Sequence, residues 1–267
     1  MSPQLIQRQF IDGPWGQVHV RVARPAAASR PPLVLIHQSP SSSVAMTALM
    51  PGLAVDRVVI AADTPGFGES DPPPSAPEID EYARAHGAAI DALGLGDTID
   101  VMGYFTGAKL AAALALQRPG QVRRVVLFGA PLYTAAELAA ERATYAADVY
   151  DWDAGHLMKW WSHLKRGAPE GYPIDLFVRH FAEIQRGGVN SWWGHRAAFN
   201  YDFAEHLPKI TQPVLVFRTD DPQGAKTERA RPLLRDGRIV VLPYMAQGML
   251  DLHADEIVSH LQVFLDR

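Results

Sequence analysis

The sequence predicts an α/β protein, a mostly parallel central sheet flanked by helices, with a further helical segment inserted near one edge. Three observations carry this. Short β-branched runs recur along the chain, most without polar alternation, as expected of strands buried on both faces of a parallel sheet. Helical segments alternate with them, the rhythm of a layered α/β architecture. One stretch, about 132–207, breaks that rhythm with no buried strand and is too long for an ordinary connection.

Taken in order, the chain opens on two strands at about 5–11 and 17–23, joined by the turn-forming Asp12-Gly13-Pro14. The Pro- and Ala-rich residues 24–32 form a loop. Six strands follow: LVLIH (33–37), RVVIAAD (57–63), TIDVMGY (98–104), VRRVVLFGA (122–130), PVLVFRTD (213–220) and RIVVLP (238–243). Helices are expected at 78–93, 106–117, 227–234 and 254–265. The chain thus divides into a core of residues 1–131 and 208–267 and a helical lid over 132–207. Tryptophans concentrate in that lid: Trp152, Trp160, Trp161, Trp192 and Trp193.

Composition narrows the function classes. At 267 residues and 48% hydrophobic, the chain can bury a substantial single core. A net charge of −4 supplies no basic footprint, so neither nucleic acid nor an anionic membrane is an expected partner. The lack of cysteine excludes disulfides, thiolate metal sites and cysteine nucleophiles. The opening MSPQLIQRQF has no basic segment followed by an apolar one, and no apolar run approaches the ~20 residues of a membrane helix, so a soluble cytoplasmic protein is expected. No nucleotide-binding glycine pattern is present, so no organic cofactor is implied. Neither is a metal, since H-E-x-x-H and comparable ligand spacings are missing.

Three motifs bear on chemistry. HQSP (37–40) follows the first central strand, DTPGFGES (63–70) the second, and GYFTGA (103–108) joins a strand to a helix. With the PVLVFRTDDP segment and a lid in the expected place, the chain resembles the α/β-hydrolases over nearly its full length. That resemblance implies a tight turn that lifts a serine above the carboxyl ends of the strands, with backbone N–H groups for an oxyanion and an acid and a histidine following in chain order. Here Phe105 takes the nucleophile's position. Ser39 and Thr106 take the oxyanion-hole positions, and Gln38 stands where a glycine is usual. The acid falls at Asp221, with Asp220 the second choice; the histidine position holds Gln247, or alternatively Gly248.

A phenyl ring has no lone pair for attack, and a glutamine amide is no general base near neutral pH. Ser-His-Asp hydrolysis is therefore not expected. The small residues Gly103, Gly107 and Ala108 keep the turn, which leaves Phe105 as either a wall for an apolar or aromatic ligand or a plug in a vacant site. Gln38, Phe105, Trp160, Trp192, Trp193 and Gln247 form the candidate substrate-binding set. His37, Tyr104, Asp221 and His195 form the candidate acid/base set, with loop bracing the competing role for His37 and plain packing for Tyr104. His156, Trp160 and His163 are spaced to share a helix face. Asp63, Gly66 and Gly68 shape a turn beneath the site, and Lys109 is read as a helix-surface residue. The leading functional expectation is a cofactor-independent, non-hydrolytic enzyme (lyase, isomerase, decarboxylase or cyclase) acting on a small apolar or aromatic metabolite. A ligand-binding or scaffold protein and a hydrolase with a non-standard water-activating base are the alternatives.

Overall fold

The structure is a computed structural model that describes residues 5–150, 152–244 and 248–267. Eight strands form one sheet: β1 (Gln7–Gly13), β2 (Gly16–Ala23), β3 (Leu33–Ile36), β4 (Val59–Ala62), β5 (Ile99–Tyr104), β6 (Val122–Phe128), β7 (Val214–Arg218) and β8 (Gly237–Val241). Their spatial order is β1-β2-β4-β3-β5-β6-β7-β8. β1 pairs antiparallel with β2, and β2 antiparallel with β4; the remaining neighbours are parallel.

Strand alternation splits the core into two apolar layers. Leu33, Leu35 and Met102 face one cluster, with Met46, Leu49 and Leu261. Val34, Ile36 and Val101 face the other, with Leu110, Leu114 and Tyr82. Both faces of the central strands are covered, which is why their sequences show no polar alternation. The covering helices are α1 (Met50–Leu53), α2 (Ile79–Ala92) and α3 (Thr106–Gln117), with α9 (Pro222–Glu228), α10 (Met249–Leu252) and α11 (Ala254–Leu265) at the other end of the chain. A reciprocal Glu78–Glu81 capping box starts α2. Among the described residues no helix is long and apolar enough to cross a membrane.

Between β6 and β7 the chain forms α4 (Ala135–Thr144), α5 (Gly155–Gly167), α6 (Ile174–Gln185), α7 (Trp193–Asn200) and α8 (Phe203–His206). Polar ties hold these helices to the core. Lys226 pairs with Glu141 at 2.8 Å, Arg196 with Glu78 at 2.6 Å and Arg179 with Asp251 at 2.7 Å.

Two element boundaries differ from the sequence expectation. Asp12 and Gly13 continue β1 in register with Gln17 and Gly16, so the hairpin turns at Pro14-Trp15 instead. The helix expected at 227–234 begins earlier, at Pro222, because Asp221 caps it by accepting the Gly224 N–H at 2.9 Å. It gives way to a 3-10 turn at Arg231–Leu233, where Pro232 removes a donor.

Candidate functional site

The strand-to-helix turn between β5 and α3 carries the least common backbone geometry in the core. Phe105 sits at φ +48° and ψ −102°, and α3 begins at the next residue. A non-glycine residue there costs about 1–3 kcal/mol and persists only where its surroundings fix it. They do so here. The Phe105 N–H donates to the Phe128 carbonyl at 2.8 Å, and its carbonyl accepts the Ala108 N–H at 2.9 Å. A Cβ at Gly103 would overlap the Gly107 carbonyl, and one at Gly107 would overlap the Ile36 carbonyl. The ring of Phe105 rests on Gly129, where a Cβ would come within 2.9 Å of Cε1. Tyr104 meets it edge-on at 4.8 Å.

Beneath the turn lies a polar brace. The His37 Nδ1–H donates to the Gln38 carbonyl at 2.8 Å, which leaves Nε2 to accept the Thr64 N–H at 2.9 Å. Both ring nitrogens are thus taken by backbone, the ring is buried, and burial depresses its pKa despite the pull of Asp63. His37 has no free nitrogen to offer a substrate and does not line the cavity described below. Its place in the acid/base set is therefore corrected to a brace. Asp63 accepts from the Ser43 N–H at 2.6 Å, the Glu69 N–H at 2.9 Å and the His19 ring at 2.9 Å. Burial alone would raise its pKa, but these bonds and the nearby His37 hold it well below the carboxylate range.

Above the turn a cavity of about 480 Å³ separates the carboxyl ends of the strands from the inserted helices. It lies where open α/β sheets bind ligands. Of the residues singled out from sequence, Gln38, Ser39, Tyr104, Phe105, Thr106, Trp160, His195 and Asp221 all line it. Phe105 is a half-buried part of the wall, not a plug. Trp160 and His163, one helix turn apart on α5, both face the cavity, while His156 does not line it. Trp193 belongs to a second, smaller cavity of about 250 Å³ beside Phe67 and Tyr82, and Trp192 lines neither. These two are corrected: they stand at the start of α7, outside the lining of the larger cavity, to which His195, Ala198 and Phe199 of the same helix contribute. Gln247 lies outside the described residues, whereas Gly248 lines the cavity.

Several wall residues went unread in the sequence. Tyr133, Tyr145 and Phe199 extend the aromatic surface, and His180 and Asp251 add polar groups. Lys109 is a correction: it is 6% exposed, not a surface lysine. Its Nζ donates to the Ala198 and Tyr201 carbonyls at the end of α7, at 2.5 and 3.0 Å. Burial lowers its pKa to about 7, against the pull of Asp202.

Electrostatics sort the candidate acids and bases. His195 stacks on Tyr145 at 4.1 Å, and burial, with His163 and Lys159 nearby, lowers its pKa to about 3. The shift disfavours the protonated ring, and the stacking places His195 in the cavity wall beside Tyr145. Burial, reinforced by the charges of Asp221 and Asp251, pushes the Tyr104 phenol up, so it stays protonated. Asp221 combines its cap of α9 with a place in the cavity wall.

The comparisons with known proteins agree with this geometry. A family model described as "alpha/beta hydrolase fold" matches residues 31–157. A non-heme haloperoxidase from Rhodococcus erythropolis is 28% identical over 227 residues, 78% of this chain and 82% of that protein. A bifunctional esterase/perhydrolase from Acinetobacter calcoaceticus is 26% identical over 225 residues, 78% of this chain and 81% of its own length. In structure, a thermophilic esterase from Thermogutta terrifontis superposes with a TM-score of 0.79 at 19% identity, covering 97% of this chain and 98% of that one. Sheet order, the apex turn, the cavity's position and these likenesses lead to one conclusion: the chain has the α/β-hydrolase fold.

Proposed function

We propose that the protein is a cofactor-independent enzyme that converts a small, mostly apolar or aromatic molecule without forming a covalent acyl-enzyme. One observation carries the reading. The strained apex that presents a nucleophile in this fold presents the Phe105 ring, and the ring forms part of an open cavity wall. The backbone N–H groups of Ser39 and Thr106 and the protonated Tyr104 phenol supply donors for a negative charge that develops in the reaction. Tyr133, Tyr145, Trp160 and Phe199 supply flat surfaces for an aromatic body. The helices of residues 132–207 act as the lid that excludes water. Enzymatic use of the fold is supported by relatives named as haloperoxidases and as an esterase/perhydrolase.

The first test is mass spectrometry of the protein after exposure to p-nitrophenyl acetate. No acyl adduct and no burst of p-nitrophenol are expected; a stoichiometric burst with a labelled residue in the cavity would refute the reading. The second is incubation with a metabolite extract, in which a compound is consumed. Retention of an aromatic compound without consumption would reduce the protein to a binder.

A further inference from the structure

The polar end of the cavity holds a pair of groups that the resemblance to α/β-hydrolases does not assign. His180, on inserted helix α6, and Asp251, on core helix α10, both line the cavity. Nε2 of the ring and Oδ2 of the carboxylate lie 3.0 Å apart, with the side chains 19% and 6% exposed. Among the described residues, neither buried atom makes an aligned hydrogen bond, with the other or with a third group. The second carboxylate oxygen, Oδ1, is held by Arg179 at 2.7 Å. The Tyr172 hydroxyl, on a ring 6.4 Å from that of His180, is likewise buried, with no hydrogen-bond partner among the described residues.

A plain structural tie would align both carboxylate oxygens. Arg179 does so with one, while the other faces an imidazole in a loose contact. Buried polar atoms without a direct partner are costly, and native structures keep few of them. We propose that His180, oriented by Asp251, is the proton acceptor of this cavity, for a carbonyl compound with an acidic C–H beside an apolar or aromatic body. With Nε2–H turned to Asp251, the Nδ1 lone pair takes the proton. The carboxylate stabilises the imidazolium that results, and the ring later returns the proton to the product or to water. The negative charge left on the ligand's oxygen falls to the Tyr104 phenol and the N–H groups of Ser39 and Thr106. Asp251 is a positioning residue in this scheme. The pair exists because α6 and α10 meet at this end of the cavity. This deepens the functional reading above and rests on it.

The test uses 5-nitrobenzisoxazole, a flat apolar C–H acid. A base removes its ring proton, the N–O bond breaks, and the coloured cyanonitrophenolate forms with no other reactant. Wild-type protein is expected to exceed the buffer rate. His180→Ala should lose about 10-fold or more and regain rate with added imidazole, and Asp251→Asn should slow the reaction with the probe still bound. His180→Gln, checked by circular dichroism, serves if the alanine variant does not fold. Binding is followed separately through quenching of tryptophan fluorescence. Unchanged rates in folded His180 variants, or a wild-type rate equal to buffer although the probe binds, would overturn the proposal and leave the aromatic cavity standing. Failure of the probe to bind would overturn the cavity reading itself.

Discussion

Phe105 holds its positive φ because the atoms around it leave no other path for the chain. Gly107 has no room for a side chain, since a Cβ there would collide with the Ile36 carbonyl, a backbone atom that cannot swing aside. Gly107→Ala is therefore expected to lose about 3 kcal/mol, read as a lower urea midpoint. Gly129 is constrained twice, by its φ of +83° and by the phenyl ring above it. Gly129→Ala should be destabilising, and Phe105→Ala in the same chain should relieve only the part due to the ring. A double-mutant cycle on stability is expected to show coupling of about 1 kcal/mol; strict additivity would mean that the ring does not rest there.

Among the elements, the link between α3 and α7 runs through one amine. Lys109 has a folded-state pKa lowered by burial to about 7, from an ordinary value of 10.5. Between those values the unfolded chain binds a proton that the folded chain does not, so stability rises with pH across that window and falls as pH drops toward 7. The slope should be about 1.4 kcal/mol per pH unit, and Lys109→Met should abolish it in urea titrations between pH 7 and 10. Because Nζ holds the Ala198 and Tyr201 carbonyls, the same variant should be cut faster by protease in the helices between β6 and β7.

Elements buried on both faces were the most legible in the sequence. The inner strands β3 to β7 show as largely apolar runs, and α3 and α11 have the predicted bounds because the turn glycines and final apolar stripe mark them. The start of α9 was missed because Asp221, weighed as a triad acid, also acts as a helix cap. In the candidate site, the wall contributed by loops next to strands was readable from motifs. His180 and Asp251 were not, because only the docking of α6 on α10 makes them neighbours. Trp192 and Trp193 show the converse: aromatic composition marks burial but cannot say which of two cavities a ring will face.

At the scale of the whole molecule, acid should weaken the fold over two successive pH ranges. His86 is buried, and that burial lowers its pKa to about 3. The unfolded chain takes up a proton near the ordinary histidine value of 6.5, and the folded one does so only near 3. Stability should thus decline as pH falls from about 6.5, by about 1.4 kcal/mol per pH unit for this group. His86→Leu should make the decline shallower by that amount. Asp63 acts lower on the scale: its depressed pKa contributes stability that is complete above about pH 4 and is lost on further acidification. Asp63→Asn should cost about 3 kcal/mol at pH 7 and remove that last loss, both read from urea midpoints.

The crowding around residue 105 also bears on how such a protein changes over generations. Positions 103 and 107 are closed to any side chain, yet position 105 carries one, phenylalanine here where the resemblance implies serine. Their codons can differ by a single base. Exchange of an attacking group for an aromatic surface is therefore one short mutational step. The phenyl then becomes part of the cavity wall and rests on Gly129.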